Sequence, residues 1–261
     1  MTDAVVLRFA NLPMKLGGGE SEEYADFDRL SAECHTYASK EVIEWYLKDF
    51  EKLVKNNLDR VDARNRMLLS AMAAVLGKFS QPTVLDFGGG CGADYFVAKN
   101  FLGPDAVGQW VVCENPRVVE TFQNTPECES EGRLRFVTDM GQIDSHVHMA
   151  YISGALQYVR APLATLTEIA DRNPEFIFLN RTPLWNFPGR LTKQLKPKSN
   201  AEEKTRLSYP CWILNESQVL KTLTDRGYEK ISFHANYDRP YISGYGFLAY
   251  KSYFFRKQMP V

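Results

Sequence analysis

The sequence predicts a mixed α/β protein built on a mostly parallel, doubly wound sheet. Near residue 83 a short apolar run ends in an acid and is followed by glycines at alternate positions and a helical stretch. Short apolar segments then alternate with helical ones. The length of 261 residues suits one such domain with additions, or two small domains.

Composition narrows the functional classes. Hydrophobic residues make up 44% and charged residues 24%, with a net charge of −1, so no broad basic field for nucleic acid is present. We expect no membrane span, since no apolar run reaches the roughly 18–20 residues that one needs. The N-terminus lacks a signal-peptide pattern. The five cysteines are scattered without a C-x-x-C pair, so we expect no metal site and a reduced, cytoplasmic protein.

Residues 1–80 are predicted to form a mainly helical N-terminal extension, before a larger domain over residues 81–261. Apolar residues at helical spacing indicate one helix from Tyr37 to Leu58 and another from Arg64 to Phe79. We expect these helices to cover the sheet.

A glycine-rich turn follows the first predicted strand. Gly88, Gly90 and Gly92 leave no side chains where the backbone must turn and approach a ligand. The next helix offers free N–H groups, and doubly wound sheets bind ligands at such places. Asp86 precedes the glycines, where it would repel a pyrophosphate and suit a positively charged ligand. The alternative is a tight turn in an unrelated α/β protein.

This Asp-x-Gly-x-Gly-x-Gly stretch resembles the first motif of class I S-adenosylmethionine-dependent methyltransferases. The resemblance implies a Rossmann-like, mostly parallel seven-stranded sheet whose last strand is antiparallel. It implies S-adenosyl-L-methionine as the cofactor, with the glycine turn under the methionine part and Asp86 orienting its amino end. It also implies that the N-terminal helices form a lid over the active site.

Acidic residues follow the next two predicted strands. Glu114 comes after the strand Gln109–Cys113, and its two carboxylate oxygens can accept hydrogen bonds from both ribose hydroxyls. Asp139 and Met140 follow the strand Leu134–Val137, where the resemblance implies contacts with the adenine amino group and ring. The alternatives are a solvated strand-end acid and an ordinary turn.

The fourth predicted strand, Val147 to Ser153, leads into Gln157 and Tyr158. Ser153, Gln157 and Tyr158 can all donate or accept a proton. The resemblance implies that this strand end holds the methionine side of the cofactor and that the substrate approaches here.

The fifth predicted strand, Glu175 to Leu179, is followed by Arg181. A guanidinium there would grip a carboxylate or phosphate of the substrate, or would pin the loop through a salt bridge. The polar stretch 184–210 is predicted to be a flap over the site, or else a solvated loop. A helix from Asn215 and two final strands complete the predicted sheet.

Three features together resemble a narrower family of methyltransferase-like proteins encoded in bacterial gene sets for surface-polysaccharide assembly. They are the turn Leu85–Gly92, the tripeptide Leu156-Gln157-Tyr158, and Arg181-Thr182-Pro183 with Tyr209-Pro210-Cys211-Trp212 downstream. The resemblance covers roughly residues 20–255. It implies methyl transfer to a sugar, a sugar nucleotide or a related precursor.

A hydroxyl acceptor needs a general base, for which Tyr158, His234 and His35 are candidates, whereas an amine acceptor needs no strong base. We therefore expect a small-molecule substrate and no nucleic-acid partner, and a homodimer is one assembly to expect. Two alternatives stay open. One is a regulatory protein that binds the cofactor without turnover. The other is an NAD-dependent oxidoreductase, for which the sequence lacks the glycine-first fingerprint and a Tyr-x-x-x-Lys motif.

Overall fold

The computed structural model of the protein describes residues 8–10, 20–35, 39–56, 63–196, 207–235, 241–242 and 246–258. Within these ranges, no helix combines the length and the apolar character that crossing a membrane requires.

Twelve strands, eight α-helices and two short 3₁₀ helices make up the described part of the chain. The strands are β1 Arg8–Ala10, β2 Thr83–Phe87, β3 Gln109–Cys113, β4 Leu134–Val137, β5 Met149–Ser153, β6 Phe176–Trp185, β7 Arg190–Lys196, β8 Leu207–Asn215, β9 Tyr228–Ala235, β10 Tyr241–Ile242, β11 Gly246–Phe247 and β12 Tyr250–Lys257. The helices are α1 Glu20–Glu33, α2 Lys40–Asn56, α3 Ala63–Leu76, α4 Ala93–Leu102, α5 Pro116–Phe122, α6 Pro126–Glu129, α7 Pro162–Asp171 and α8 Glu216–Thr224, with 3₁₀ helices at Met140–Gln142 and Leu156–Tyr158.

Seven strands form the central part of the sheet, in the order β4-β3-β2-β5-β6-β12-β9. The pairs from β4 to β6 are all parallel, whereas β12 lies antiparallel between β6 and β9. This confirms the predicted Rossmann-like methyltransferase fold, including its antiparallel last strand.

The central strands are apolar on both faces because helices cover both sides of the sheet. One face packs against α7 and α8 through a cluster that contains Leu85, Ile152 and Leu179. The other face packs against α2, α3 and α4 through a cluster that contains Trp110 and Tyr151. The N-terminal helices thus cover the sheet as expected.

A second group of strands, β11-β10-β1-β7-β8, extends the sheet beyond β6. It joins the carboxyl end of β6, where Leu184 pairs with Leu214 and Trp185 with Asn215. Three stretches far apart in sequence build it, and β1 lies in the segment that was predicted to be mainly helical. We call these five strands the cap sheet.

The two described sides of the predicted flap are strands of a hairpin. All of β7 pairs antiparallel with β8, from Arg190↔Ile213 to Lys196↔Leu207. The polar residues Thr192 and Gln194 are buried in this hairpin, although their polarity suggested an exposed connection. The tip of the predicted flap, 197–206, lies outside the described residues, so its part in closing the site stays a prediction.

Candidate active site

The glycine turn links β2 to α4 at the carboxyl edge of the sheet. Gly88, Gly90 and Gly92 have φ angles of 67°, 58° and 73°, in the left-handed region that glycine favours. A Cβ built on Gly88 would lie 2.4 Å from the Cβ of Ala155, in the turn after β5. The two turns therefore touch, and this contact requires glycine at position 88.

Asp86 lies beneath this turn rather than on its outer surface. Its side chain is 1% exposed, and its Oδ2 accepts a hydrogen bond of 2.9 Å from the indole N–H of Trp110. A Cβ built on Gly89 would lie 2.3 Å from the same Oδ2. The carboxylate thus supports the turn from below, and direct contact with a cofactor amino group remains a prediction.

Glu114 follows β3 and reaches the glycine turn from the neighbouring strand. Its Oε2 accepts hydrogen bonds from the Asn115 backbone N–H at 2.6 Å and from the Asn115 side-chain amide at 2.9 Å. The Gly90 backbone N–H donates to it as well. Burial raises the pKa of Glu114 above its ordinary value, and these three hydrogen bonds oppose the rise. The carboxylate is thereby held against the glycine turn, and its predicted contact with ribose hydroxyls stays a prediction.

Asp139 and Met140 lie at the next strand end and have structural contacts there. Asp139 is exposed, and its Oδ1 accepts a 2.6 Å hydrogen bond from the Gly141 N–H, forming a capping box with Gln142. Met140 is buried in the cluster that packs against α7 and α8. Their predicted contacts with adenine stay a prediction.

A buried network of polar side chains runs under the end of β5. Asn180 of β6 is fully buried, and its Nδ2 donates to Ser153 Oγ at 3.2 Å and lies 3.5 Å from the hydroxyl of Tyr151. The Tyr151 hydroxyl donates to Asp94 Oδ2 at 3.0 Å, near the start of α4. The Gly154 N–H donates to the Asn180 carbonyl at 2.9 Å. These bonds fix the Ser153–Gly154 turn relative to the helix after the glycine turn.

Arg181 sits in a β-bulge of β6. Lys251 pairs with Thr182 and Tyr253 with Leu179, so Asn180 and Arg181 together face the single residue Ser252. Arg181 has φ 51°, a left-handed conformation that costs a residue with a side chain roughly 1–2 kcal/mol.

Ser252 secures the bulge on both sides. Its Oγ donates to Asn180 Oδ1 at 2.6 Å and accepts from the Arg181 N–H at 3.3 Å. The strand was predicted to end at Leu179, but it continues through the bulge to Trp185.

Tyrosines from three different elements gather above the glycine turn. Tyr46 of α2 lies 3.8 Å, through its Cε1, from a Cβ built on Gly90. Burial and then the nearby Glu114 carboxylate raise the pKa of Tyr46 well above its ordinary value, with smaller contributions from Tyr158 and Tyr209. The rings of Tyr158 and Tyr209 are 6.2 Å apart, edge to face.

The cap sheet closes this cluster from the other side. The Tyr158 hydroxyl donates to Gln194 Oε1 of β7 at 2.5 Å. Val42 of α2 packs against Tyr209 of β8. Helix α2 and the hairpin therefore pack together through these tyrosines at the carboxyl edge, and their part as a lid stays a prediction.

The structure brings together most of the predicted site residues but not His234. Its strand, β9, is four positions from β2 in the sheet order, which is about 19 Å at roughly 4.8 Å per strand. His35 accepts a 3.3 Å hydrogen bond at Nδ1 from the Ser208 N–H. Of the three candidate bases, Tyr158 is the one in the tyrosine cluster, where its hydroxyl acts as a donor.

Sequence reasoning missed Tyr46, Gln194 and Asn180 as site residues. Tyr46 and its neighbours follow the helical spacing of ordinary core residues, and Gln194 lies in a stretch that seemed too polar to be buried. Asn180 interrupts an apolar run at a strand end, which was a usable indication of a buried polar role.

Solved structures share this architecture at low sequence identity. An S-adenosylmethionine-dependent methyltransferase from Clostridium acetobutylicum ATCC 824 aligns with a TM-score of 0.52 and 11% identity, over 83% of this chain and 99% of that chain. The magnesium protoporphyrin IX methyltransferase of Synechocystis PCC 6803, in a structure with bound S-adenosylhomocysteine, aligns with a TM-score of 0.52 and 11% identity, over 85% of this chain and 96% of that chain. The CcbJ methyltransferase of Streptomyces caelestis aligns with a TM-score of 0.51 and 10% identity, over 80% of this chain and 96% of that chain.

These similarities establish the fold of the chain, a Rossmann-like methyltransferase fold. The chain matches no protein-family model, and no curated protein matches it in sequence.

Proposed function

We propose that the protein is an S-adenosyl-L-methionine-dependent methyltransferase that acts on a small molecule. The observation that carries this proposal is the meeting of three loops at one sheet edge: the left-handed glycine turn, Glu114 on the adjacent strand, and the Ser153–Gly154 turn. The residues fit such a cofactor, because the glycines leave a cradle beside the carboxylate of Glu114.

In this proposal Glu114 accepts hydrogen bonds from the two ribose hydroxyls, and the turn from Gly88 to Gly92 lies under the methionine part. Asp86 holds that turn through its contact with Gly89. Asp139 and Met140 border the adenine.

The bound cofactor supplies an activated methyl group on its sulfonium, and the protein contributes positioning. The Ser153–Gly154 turn, fixed by Asn180, holds the end of the site where the acceptor enters. Tyr46 and α2 close over the glycine turn and exclude water. Tyr158 orients the acceptor as a hydrogen-bonding group.

The proposed acceptor is a sugar, a sugar nucleotide or a related polysaccharide precursor. The sequence resemblance supports this, and so do the side chains of the tyrosine cluster. Tyrosine rings offer flat faces, and Tyr158 with Gln194 offers hydrogen-bonding groups, a combination suited to a polyhydroxylated ligand.

Isothermal titration of S-adenosylmethionine and S-adenosylhomocysteine, with NAD as the comparison ligand, tests the proposal. We expect the sulfur-containing ligands to bind wild type, and Glu114→Ala to weaken them at least about tenfold, since a buried charge-assisted hydrogen bond contributes about 1.5–3 kcal/mol. The matched control is Glu120→Ala, because Glu120 is exposed on α5. Binding of NAD alone, or of none of the three, would refute the proposal.

Turnover separates the enzyme from a regulatory protein with the same pocket. A mixture of labelled S-adenosylmethionine and acceptors from polysaccharide pathways should yield S-adenosylhomocysteine and a labelled product. Tight cofactor binding without conversion by any acceptor would favour a regulatory role.

A further inference from the structure

The bulge in β6 changes the face of the sheet to which the residues after it point. Leu179 and Leu184 both lie in the cluster that packs against α7 and α8, although residues five positions apart face opposite sides of a regular strand. The extra residue opposite Ser252 accounts for this shift. As a result, Asn180 points to the face that carries Tyr151, whose hydroxyl it contacts.

The bulge places the Arg181 guanidinium beside the turn after β5. A Cβ built on Gly154 would lie 4.0 Å from Arg181 Nη1 and 3.8 Å from the side-chain nitrogen of Gln157. Gly154 itself has φ 63°, so the absence of a side chain and the left-handed turn both leave room at this point. A guanidinium and an amide therefore converge on one small region.

Gln157 is buried there without full hydrogen bonding. Its side chain is 2% exposed, and its Oε1 has no hydrogen-bond partner among the residues that the structure describes. Buried side-chain polar atoms in native proteins nearly always have a partner, so this amide oxygen is an acceptor that an ordered water or a bound ligand would satisfy. An amide oxygen accepts from an O–H or N–H group.

We infer that the methyl acceptor is an anionic small molecule, held by Arg181 through a carboxylate or phosphate and by Gln157 through a neighbouring O–H or N–H. This inference rests on the proposed function, because it assigns the acceptor's end of the same site. Arg181 supplies a planar guanidinium that binds such anions in a bidentate manner. Asn180 and Ser252 are positioning residues, since they hold the bulge that aims it.

Thermal-shift titrations of the protein saturated with S-adenosylhomocysteine test the inference with three related probes: glucuronate, glucose 6-phosphate and glucose at equal concentrations. We expect one of the two acids to raise the melting temperature and neutral glucose to have no effect. A response to glucuronate identifies a carboxylate acceptor, and a response to glucose 6-phosphate a phosphorylated one. Equal stabilisation by glucose, or no stabilisation by either acid, would overturn the inference.

Variants assign the binding to these residues. Arg181→Gln and Gln157→Leu should each weaken binding of the active acid at least about tenfold. Arg256→Gln and Gln218→Leu are the matched controls. Arg256 pairs with Glu229 at the opposite edge of the sheet, and Gln218 is exposed on α8, so both should bind the acid as wild type does.

Two measurements keep this inference separate from the proposed function and from a merely structural role. Titration of S-adenosylhomocysteine into Arg181→Gln should give wild-type affinity; if wild type fails to bind this ligand, the proposed function itself is refuted. If Arg181 only pins the loop, Arg181→Gln would lower the melting temperature of the ligand-free protein while the acid still bound it with unchanged affinity. That result would overturn the inference.

Discussion

Replacing glycine by alanine should change the free energy of unfolding by a different amount at each of three positions, Gly88, Gly90 and Gly132. Gly88→Ala places a methyl group 2.4 Å from Ala155 Cβ and forces alanine to φ 67°. The left-handed conformation costs roughly 1–2 kcal/mol, and the overlap in a packed region adds about 1–3 kcal/mol. We therefore expect Gly88→Ala to lower the free energy of unfolding by about 2–5 kcal/mol, a large share of the stability of a typical domain.

Two other glycines separate the steric part from the conformational part. Gly90→Ala meets its nearest atom, Tyr46 Cε1, at an ordinary 3.8 Å but has φ 58°, so it should cost only roughly 1–2 kcal/mol. Gly132→Ala meets nothing within 4 Å and should be neutral or stabilising by up to about 1 kcal/mol.

Urea unfolding followed by tryptophan fluorescence measures all three variants under the same conditions. The order of cost should be Gly88→Ala, then Gly90→Ala, then Gly132→Ala. If Gly88→Ala unfolded at the same urea concentration as Gly132→Ala, the contact between the two turns would not exist as described, and the reasoning would fail.

Three further predictions concern buried polar groups. Trp110→Phe removes one donor to Asp86, so it should lower the free energy of unfolding by about 1.5–3 kcal/mol in urea titrations, and an unchanged midpoint would contradict that bond. His148 accepts a hydrogen bond at Nδ1 from the Thr83 N–H, and burial lowers the pKa of its imidazole. The neutral imidazole therefore stabilises the fold above about pH 6.5, and this stabilisation is lost as the pH falls towards the folded-state pKa. His148→Gln should flatten this part of the curve of stability against pH. Because the pKa of Glu114 is raised, the stability of ligand-free wild type relative to Glu114→Gln should fall as the pH rises from the ordinary carboxyl value through the folded-state pKa, and a constant difference would be the contrary result.

The central sheet could be predicted from the sequence because short local patterns specify its strands. The observed limits of β3 and β4 match the predicted ones, and β2 begins at Thr83 but ends at Phe87, one residue beyond the predicted run. The position of Glu114 at the carboxyl edge could be predicted for the same reason, since a polar residue directly after a parallel strand lies there.

The cap sheet and the bulge depend on contacts between residues far apart in the chain. The pairing of β1 with β7 joins residues separated by most of the sequence, and no local pattern specifies it. The bulge at Arg181 can be recognised only when β12 is aligned with β6, because it consists of two consecutive residues, Asn180 and Arg181, opposite the single residue Ser252. Tyr46 reads as core from its helical spacing, and only the folded chain places it over Gly90.

A crystal structure of the protein with S-adenosylhomocysteine tests the central claim most directly. The account predicts that the ribose hydroxyls lie within hydrogen-bonding distance of the Glu114 carboxylate and that the homocysteine part lies on the turn from Gly88 to Gly92. It also predicts that the sulfur faces the space beside Gly154 and Arg181. A ligand bound elsewhere, or bound at this edge without contact to Glu114, would contradict it.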